Sequence, residues 1–501
     1  MMRLRFIWIL FLMLSGTSFS LSAQSGPAWI AGLVFEDVND NGRMDGRERG
    51  LKGIGVSNGD TIVLSDRNGR FKLPVAPGVS VFPILPADYG LSLGIQNGDF
   101  VYLPRPEEQN KELLYFPLIK RKALSQFRMS AVGDMQVDNL QELHYAHQTV
   151  LSELVQRQDL DFHLFLGDQV NSDSGLETKV KAVLNQLQAP VWTVYGNHDR
   201  SVQAVWQDSV YNSHFGASTY AFTYGEIHFV VLNNVWSDGS RSYHGRYSDS
   251  QLRFLANNLK LLPKDQTVVI AQHIPMVFTR NRDDLLALLG EDRRVLVLSG
   301  HTHRVSRHFF GENVSELVVG ASSGNWWTGE RDFRGLPHAS MQDGSPRNYF
   351  VLDFEGSDYK FQFKGVGMDA QQQMHIWLAG QDSIDKTWAV DLEGTLVANI
   401  YAGSEKTEAY FQVNNGEWIK MERTRMADPS VQRLVALNRA DVYPSAYSQR
   451  SALRSSASSH IWTAKLPDLE GEGPILRINI MAHDDYGFSA VGTTLFFNPA
   501  K

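Results

Sequence analysis

Between residues 29 and 120, short apolar runs (29–35, 54–57, 61–64, 71–73 and 79–85) alternate with polar turns that include Asn58-Gly59 and Asn68-Gly69. Asn-Gly steps favour tight hairpins, so this rhythm predicts a small β-sandwich over residues 27–120. The rhythm changes near Gln126. Apolar runs at 129–132, 162–166, 191–194, 268–271 and 295–298 now alternate with helical patterns such as 139–157 and 250–262. Strands alternating with helices predict a layered α/β domain over 124–355, with functional residues at the carboxyl ends of strands. After Asp353 the helical periodicity fades. Strand-like runs at 360–364, 375–378, 409–413, 475–481 and 492–497 predict a second β-sandwich over 360–500, in which the polar stretch 445–459 reads as a mobile loop.

A length of 501 residues fits about three domains, and 43% hydrophobic with 20% charged residues is a globular composition. The net charge of -8 carries no long basic run, which argues against a nucleic-acid scaffold as partner. Arg3 and Arg5 precede an apolar run at 6–14 and a polar stretch ending at Ala23. That order predicts a cleaved export signal over 1–23, with Ser20 as an alternative cut and an uncleaved anchor as the bland alternative. The expected location is secreted or periplasmic, with no transmembrane segment after cleavage. The chain has no cysteine, so neither a disulfide framework nor a lipid on an N-terminal Cys is available.

The chemistry lies in five blocks, each directly after an apolar run: Gly133-Asp134-Met135-Gln136, Gly167-Asp168, Gly196-Asn197-His198-Asp199, His273, and Gly300-His301-Thr302-His303. Strand ends along one sheet edge can gather such side chains. Mixed oxygen and imidazole donors suit two divalent transition metals, Mn, Fe or Zn, better than Ca or Mg. The preceding glycines fit tight turns beneath a crowded site. His144, His147, His163 and His214, outside the blocks, read as satisfied polar residues.

In these blocks the chain resembles the calcineurin-like metallophosphoesterases, whose ordered pattern is Asp-x-His, Gly-Asp, Gly-Asn-His-Asp/Glu, His, Gly-His-x-His. The resemblance covers residues 126–353. It implies a central two-sheet αββα sandwich, here flanked by the two β-sandwiches, and a hydrolase whose metal-bridging hydroxide attacks phosphomonoesters or phosphodiesters. It further implies that Asp168 bridges two metals, that Asp134, Gln136 and His303 complete one site, and that Asn197, His273 and His301 complete the other. His198, held by Asp199, would then serve the departing oxygen. Gln136 departs from the pattern, which has His there, and an amide oxygen is a weaker ligand than imidazole. Asp168-Gln169-Val170-Asn171 lacks the Asp-Arg-Gly of the Ser/Thr phosphatases, and Asn171 stands where purple acid phosphatases place a Tyr.

Around these blocks, Trp326, Trp327 and Arg331, or His244 and Arg246 in the run Tyr243-His244-Gly245-Arg246, are candidates for contacting a small phosphate-ester substrate, against a structural role in packing. Residues 37–48 place Asp37, Asn39, Asn41, Asp45 and Glu48 at positions one, three, five, nine and twelve of an EF-hand-like loop, with Gly42 at six. A structural Ca is the expectation there, against a hydrated Asx-rich turn. The rival class for the whole chain is a non-catalytic metal-containing protein that recognises a glycan or partner through its β-modules.

Overall fold

The computed structural model describes residues 28–91, 101–103, 113–202, 204–239, 242–381, 390–439 and 453–499. The expected signal at 1–23 lies outside these residues, as do positions 445–452 of the polar stretch. Two sheets form the centre. One runs Val191–Thr193, Phe162–Phe165, Gln126–Val132, Asn348–Glu355, Asp358–Gly365; the other runs Tyr220–Tyr224, Ile227–Val231, Val268–Ala271, Val295–Ser299, Val314–Val318, Ser306–Phe310. Phe162–Phe165 runs parallel to Gln126–Val132, and Val268–Ala271 runs parallel to Ile227–Val231 and Val295–Ser299, whereas Asn348–Glu355 is antiparallel to Gln126–Val132; Phe162–Phe165, Val268–Ala271 and Val295–Ser299 are buried at every position. Covering both faces explains why these strands read as unbroken apolar runs.

Aromatic rings join the sheets. Phe127 stacks on Phe354 at 4.6 Å within one sheet, Phe222 on Phe229 at 4.9 Å within the other, and Phe162 meets Phe229 edge-on at 5.4 Å between them. The helix Asp249–Leu261 begins with a capping box, Gln251 N donating to Ser248 Oγ and Ser248 N to Gln251 Oε1.

Two of the sequence expectations are corrected. The helix expected over 139–157 is interrupted, running α over Leu140–Ala146, π over His147–Leu151 and α again over Ser152–Leu154. Period alone does not reveal a one-residue widening. Residues 360–364, expected in the C-terminal module, lie within the edge strand Asp358–Gly365 of the five-stranded central sheet, which pairs antiparallel with Asn348–Glu355. Gly356, at φ 58, lets the chain reverse in a tight hairpin that keeps this strand on the central domain. The C-terminal module therefore starts at Met374–Leu378, and it also holds a helix, Pro429–Arg439, that was not anticipated.

Each flanking module is a pair of four-stranded sheets. The N-terminal one is tied to the central domain where Thr223 N donates to Leu85 O at 2.7 Å and Arg253 pairs with Asp60 at 2.8 Å. The C-terminal seam is tighter. Arg307 and Asp484 form a buried ion pair at 2.6 Å, with the guanidinium also donating to Ala402 O and Tyr486 O. Beside it Asp343 accepts from Val305 N and meets His460, which is bonded to Asn399. No helix of the described residues is long and apolar enough to cross a membrane.

Asp484→Ala would leave the Arg307 charge buried without its carboxylate, a change that costs about 3–5 kcal/mol. The expected outcome is a lower urea midpoint, corresponding to an unfolding free energy reduced by that amount, with Asp484→Ala, Arg307→Met recovering part of the loss. An unchanged midpoint would show that the seam adds no stability.

Candidate metal centre

The five blocks converge at the carboxyl ends of strands from both sheets. Asp168, His273 and His301 each present one ligand atom, all within 4.8 Å of one another. His273 Nε2 lies 3.0 Å from Asn197 Oδ1 and 3.3 Å from Asp168 Oδ2, and its other nitrogen is bonded to Leu166 O at 2.8 Å. His303 is set in the same manner, with Nδ1 on Gly324 O at 2.5 Å and Nε2 3.7 Å from Asp134 Oδ1. A carbonyl that accepts from Nδ1–H leaves Nε2 with its lone pair directed inward, the usual bracing of a metal-binding imidazole. His301 differs, turning Nδ1 towards His273 at 3.3 Å, while its backbone N–H donates to Asp134 Oδ2 at 2.9 Å.

Strained backbone marks the same residues. Asp134, Gln136, Asp168, His301 and His303 have φ of 39, 44, 51, 72 and 50, the left-handed region that side chains seldom occupy. Neighbouring glycines make the crowding possible. A Cβ on Gly196 would fall 2.2 Å from Asp168 Oδ1, and one on Gly300 would fall 2.5 Å from Asp134 Oδ2. Gln136 is buried, its Nε2 faces Asp168 Oδ2 at 3.5 Å and its Oε1 has no partner. A buried amide oxygen left unpaired beside two carboxylates and three imidazoles fits a ligand held for a cation.

The electrostatics agree. Burial raises Asp134 to about 8, against the attraction of His273 and with the repulsion of Asp168. Burial also opposes ionisation of Asp168, but the His273 imidazolium and the His198 backbone N–H hold it below the usual carboxylate range. For His273, burial disfavours the charged ring and the two carboxylates more than offset this, raising it to about 9. Burial lowers His301 to about 3 and His303 to about 4, so both are neutral and ready to coordinate. The residues present thus fit two divalent ions, with Asp168 placed between the two expected sets.

His198 stands half-buried at the mouth, with its backbone N donating to Asp168 Oδ1 at 2.8 Å. The expectation that Asp199 holds its ring is corrected: Nδ1 contacts Asn171 O at 2.5 Å. Asp199 instead accepts from Gln169 N, Val170 N and Gly196 N, which ties the Asp168 turn to the Asn197 turn. A carboxylate so fully engaged by backbone donors has no geometry left for the ring beside it. The Asn171 carbonyl was missed because a main-chain acceptor leaves no trace in residue type.

The substrate candidates divide. Trp326 stacks on His303 at 4.4 Å and is half-buried, so it walls the centre. Trp327 is buried with Nε1 donating to Met135 O at 3.0 Å, and Arg331 is bonded to the Tyr145 hydroxyl and to Gly335 O; both brace the backbone and are not free for a substrate. His244 faces Asp238 at 3.2 Å and Arg246 covers Trp236 at 5.0 Å, on the side of their hairpin away from the centre. Their neighbour Tyr243 does reach it, edge-on to His301 at 6.0 Å, with Arg200 over its ring at 4.7 Å. Strand alternation explains the exchange: residues 243 and 244 face opposite ways.

The loop 37–48, outside the five blocks, is closed by its own side chains. Asp37, 1% exposed, accepts from Asn41 N and Gly42 N, while Glu48 accepts from Val38 N and Asp45 N and Asp45 accepts from Asn39 Nδ2.

Comparison with known proteins gives the following. Residues 127–305 match the family model "Calcineurin-like phosphoesterase", and residues 316–489 match "C terminal of Calcineurin-like phosphoesterase". Over 164 residues the chain is 29% identical to a 3',5'-cyclic-nucleotide phosphodiesterase of Nostoc sp., an overlap of 30% of this chain and 59% of that protein. The chain thus spans less than two thirds of the curated relative it matches. A dimetal phosphatase from Danio rerio is 15% identical with a TM-score of 0.35, covering 48% of this chain and 96% of its own. A purple acid phosphatase from yellow lupin seeds is 13% identical with a TM-score of 0.35, covering 68% and 67%.

Because burial favours the protonated form of Asp134 and the two carboxylates favour the protonated form of His273, a divalent cation entering the centre displaces protons. Titration of the metal-free protein with Mn or Zn, followed calorimetrically in buffers of different ionisation enthalpy, is expected to show release of about one to two protons, with affinity falling as pH is lowered. Heats independent of the buffer would contradict this charge balance.

Proposed function

Since this chain belongs to the calcineurin-like phosphoesterases and carries that family's C-terminal domain, we propose that it hydrolyses small phosphomonoesters or phosphodiesters at a two-metal centre outside the cytoplasm. Asp134, Gln136, Asp168 and His303 would hold one ion, and Asp168, Asn197, His273 and His301 the other. When bound, Mn, Fe or Zn would supply Lewis-acid charge to a phosphoryl oxygen and to the attacking water.

The observation that carries the reading is the setting of His198. Its Nδ1 is fixed by Asn171 O at 2.5 Å, and its backbone N is anchored on Asp168, so the ring cannot turn away from the mouth. That bond makes Nδ1 the proton-bearing nitrogen of the neutral ring and leaves Nε2 for a second proton, which it can donate to an oxygen leaving phosphorus. Tyr243 and Trp326, against His301 and His303, narrow the approach and shed water from the site. A ring placed to move a proton favours hydrolysis over the rival reading of a binding protein.

Two finer points belong to the same proposal. Export would follow from Arg3, Arg5 and the apolar run ending before Ala23. A structural Ca would sit in the loop of Asp37, Asn39, Asn41, Asp45 and Glu48, supported by hard oxygen donors at EF-hand spacing. Calcium is then expected to raise the melting temperature of the full chain, an effect lost in Asp37→Ala; identical melting with calcium and with chelator would reduce the loop to a turn.

The hydrolytic role is tested by His198→Ala. Metal content should be unchanged, and turnover of an alkyl phosphate ester should fall by about 10²–10⁴-fold, the scale of a lost proton transfer. The loss should shrink for p-nitrophenyl phosphate and bis-p-nitrophenyl phosphate, whose leaving oxygen needs little help. The panel should include 3',5'-cyclic nucleotides, given the named activity of the Nostoc relative. Undiminished alkyl ester turnover, or an emptied centre, would overturn the role given to His198.

A further inference from the structure

A second concave site lies on the seam between the N-terminal module and the central domain, with a volume of about 290 Å³. One wall is the turn at Asn58-Gly59 and the strand Val79–Ile84; the opposite wall comes from residues 208–219, 233–236 and 246–251. Most of its polar groups are already matched to each other. Ser218 Oγ donates to Asp208 Oδ2 at 2.8 Å, Gln251 Nε2 to Thr219 Oγ1 at 2.9 Å, Val235 N to Asn233 Oδ1 at 3.0 Å and Thr61 N to Asn58 Oδ1 at 2.8 Å.

Two atoms break the pattern. Ser80 Oγ and Asn212 Oδ1 have no hydrogen-bond partner, although Ser80 is 7% and Asn212 4% exposed. Buried polar atoms are nearly always bonded, and the residues that carry these two line the same pocket from its opposite walls. Asn212 Oδ1 can only accept, and a serine hydroxyl both donates and accepts, so a complementary molecule must bring hydrogen-bond donors, and hydroxyl groups, which donate and accept, match both walls. The lining carries one carboxyl, Asp208, and one guanidinium, Arg246, so a ligand of either net charge meets a like charge there. Phe82 lies at the base, 1% exposed, and Trp236 stands at the rim, 39% exposed, with the Arg246 guanidinium 5.0 Å from its ring.

We propose that this pocket binds a neutral polyhydroxy ring of monosaccharide size, whose hydroxyls satisfy Ser80 and Asn212 and whose C–H face lies on Trp236. The volume is close to the lower bound, about 300 Å³, of small-molecule sites. The pocket is distinct from the metal centre. Trp236 faces it, whereas the next residue on the strand, Ser237, points the other way and accepts from Arg200, which is bonded to Asn197 O at 2.9 Å. The occupant is therefore an anchor held beside the centre and not the group being hydrolysed there, so the inference stands whether or not the phosphoesterase reading does.

The test is titration of the full chain with glucose, galactose, mannose, N-acetylglucosamine and myo-inositol, read by tryptophan fluorescence and melting temperature. At least one is expected to give a saturable fluorescence change and a higher melting temperature. Ser80→Ala and the rim variant Trp236→Ala should each weaken that binding by about tenfold or more, the effect of one lost contact. Because Trp236 is partly exposed, its variant should keep the parental circular dichroism, the same metal content and the same p-nitrophenyl phosphate turnover. The proposal is overturned if none of the five saturates, if saturation survives both substitutions, or if inorganic phosphate competes for the site.

Discussion

Asp134 and Asp168 are carboxyl groups taken out of water within reach of the same histidine, and charge so placed persists only where something answers it. Backbone donors answer part of it: His301 N for Asp134 and His198 N for Asp168. His273 answers another part by holding its proton. The remainder is left for cations, and the surrounding backbone is bent to receive them. Five of the seven candidate ligands adopt left-handed φ, each at a cost of about 1–3 kcal/mol that only dense support can sustain. That support is the pair of sheets whose strand ends meet there.

The site was legible because chemistry of this kind is written in residue types. Asp, Asn and His recur after apolar runs, and each of Asp134, Gln136, Asp168, Asn197, His273, His301 and His303 is found at the shared edge. The fold was legible for a related reason: strands buried on both faces must be apolar throughout, as at Val268–Ala271 and Val295–Ser299. Contacts that depend on the main chain were not. The Asn171 carbonyl that fixes His198, and the engagement of Asp199 by three N–H groups, could not be read from side-chain identity.

Aromatic residues misled for a different reason. Trp326 and Trp327 are adjacent, yet one stacks on His303 and the other is buried with its indole N–H on Met135 O. Adjacency says nothing about which ring faces the cleft when both residues sit at positive φ. The hairpin of Val235–Ser237 and Tyr243–Gly245 shows the opposite case, since strict alternation sends Tyr243 to the metal centre and Trp236 to the seam. The edge strand Asp358–Gly365 escaped assignment because a strand carries no label for the sheet it joins.

The C-terminal seam touches the strand that follows His303. Arg307 on that strand is locked to Asp484, and Val305 N, two residues after His303, is held by Asp343, which meets His460. A module welded at that point cannot be exchanged by recombination as an independent cassette, because any replacement must present a carboxylate to Arg307 and a partner to Asp343. The N-terminal module, joined through the Leu85–Thr223 strand-edge bond and the packing of Phe82 on Phe254, asks only for an apolar surface at its seam. Across evolutionary time the two ends of the chain should therefore drift unequally, with architectural variety gathering before residue 120 and the portion beyond residue 374 inherited together with the metal centre.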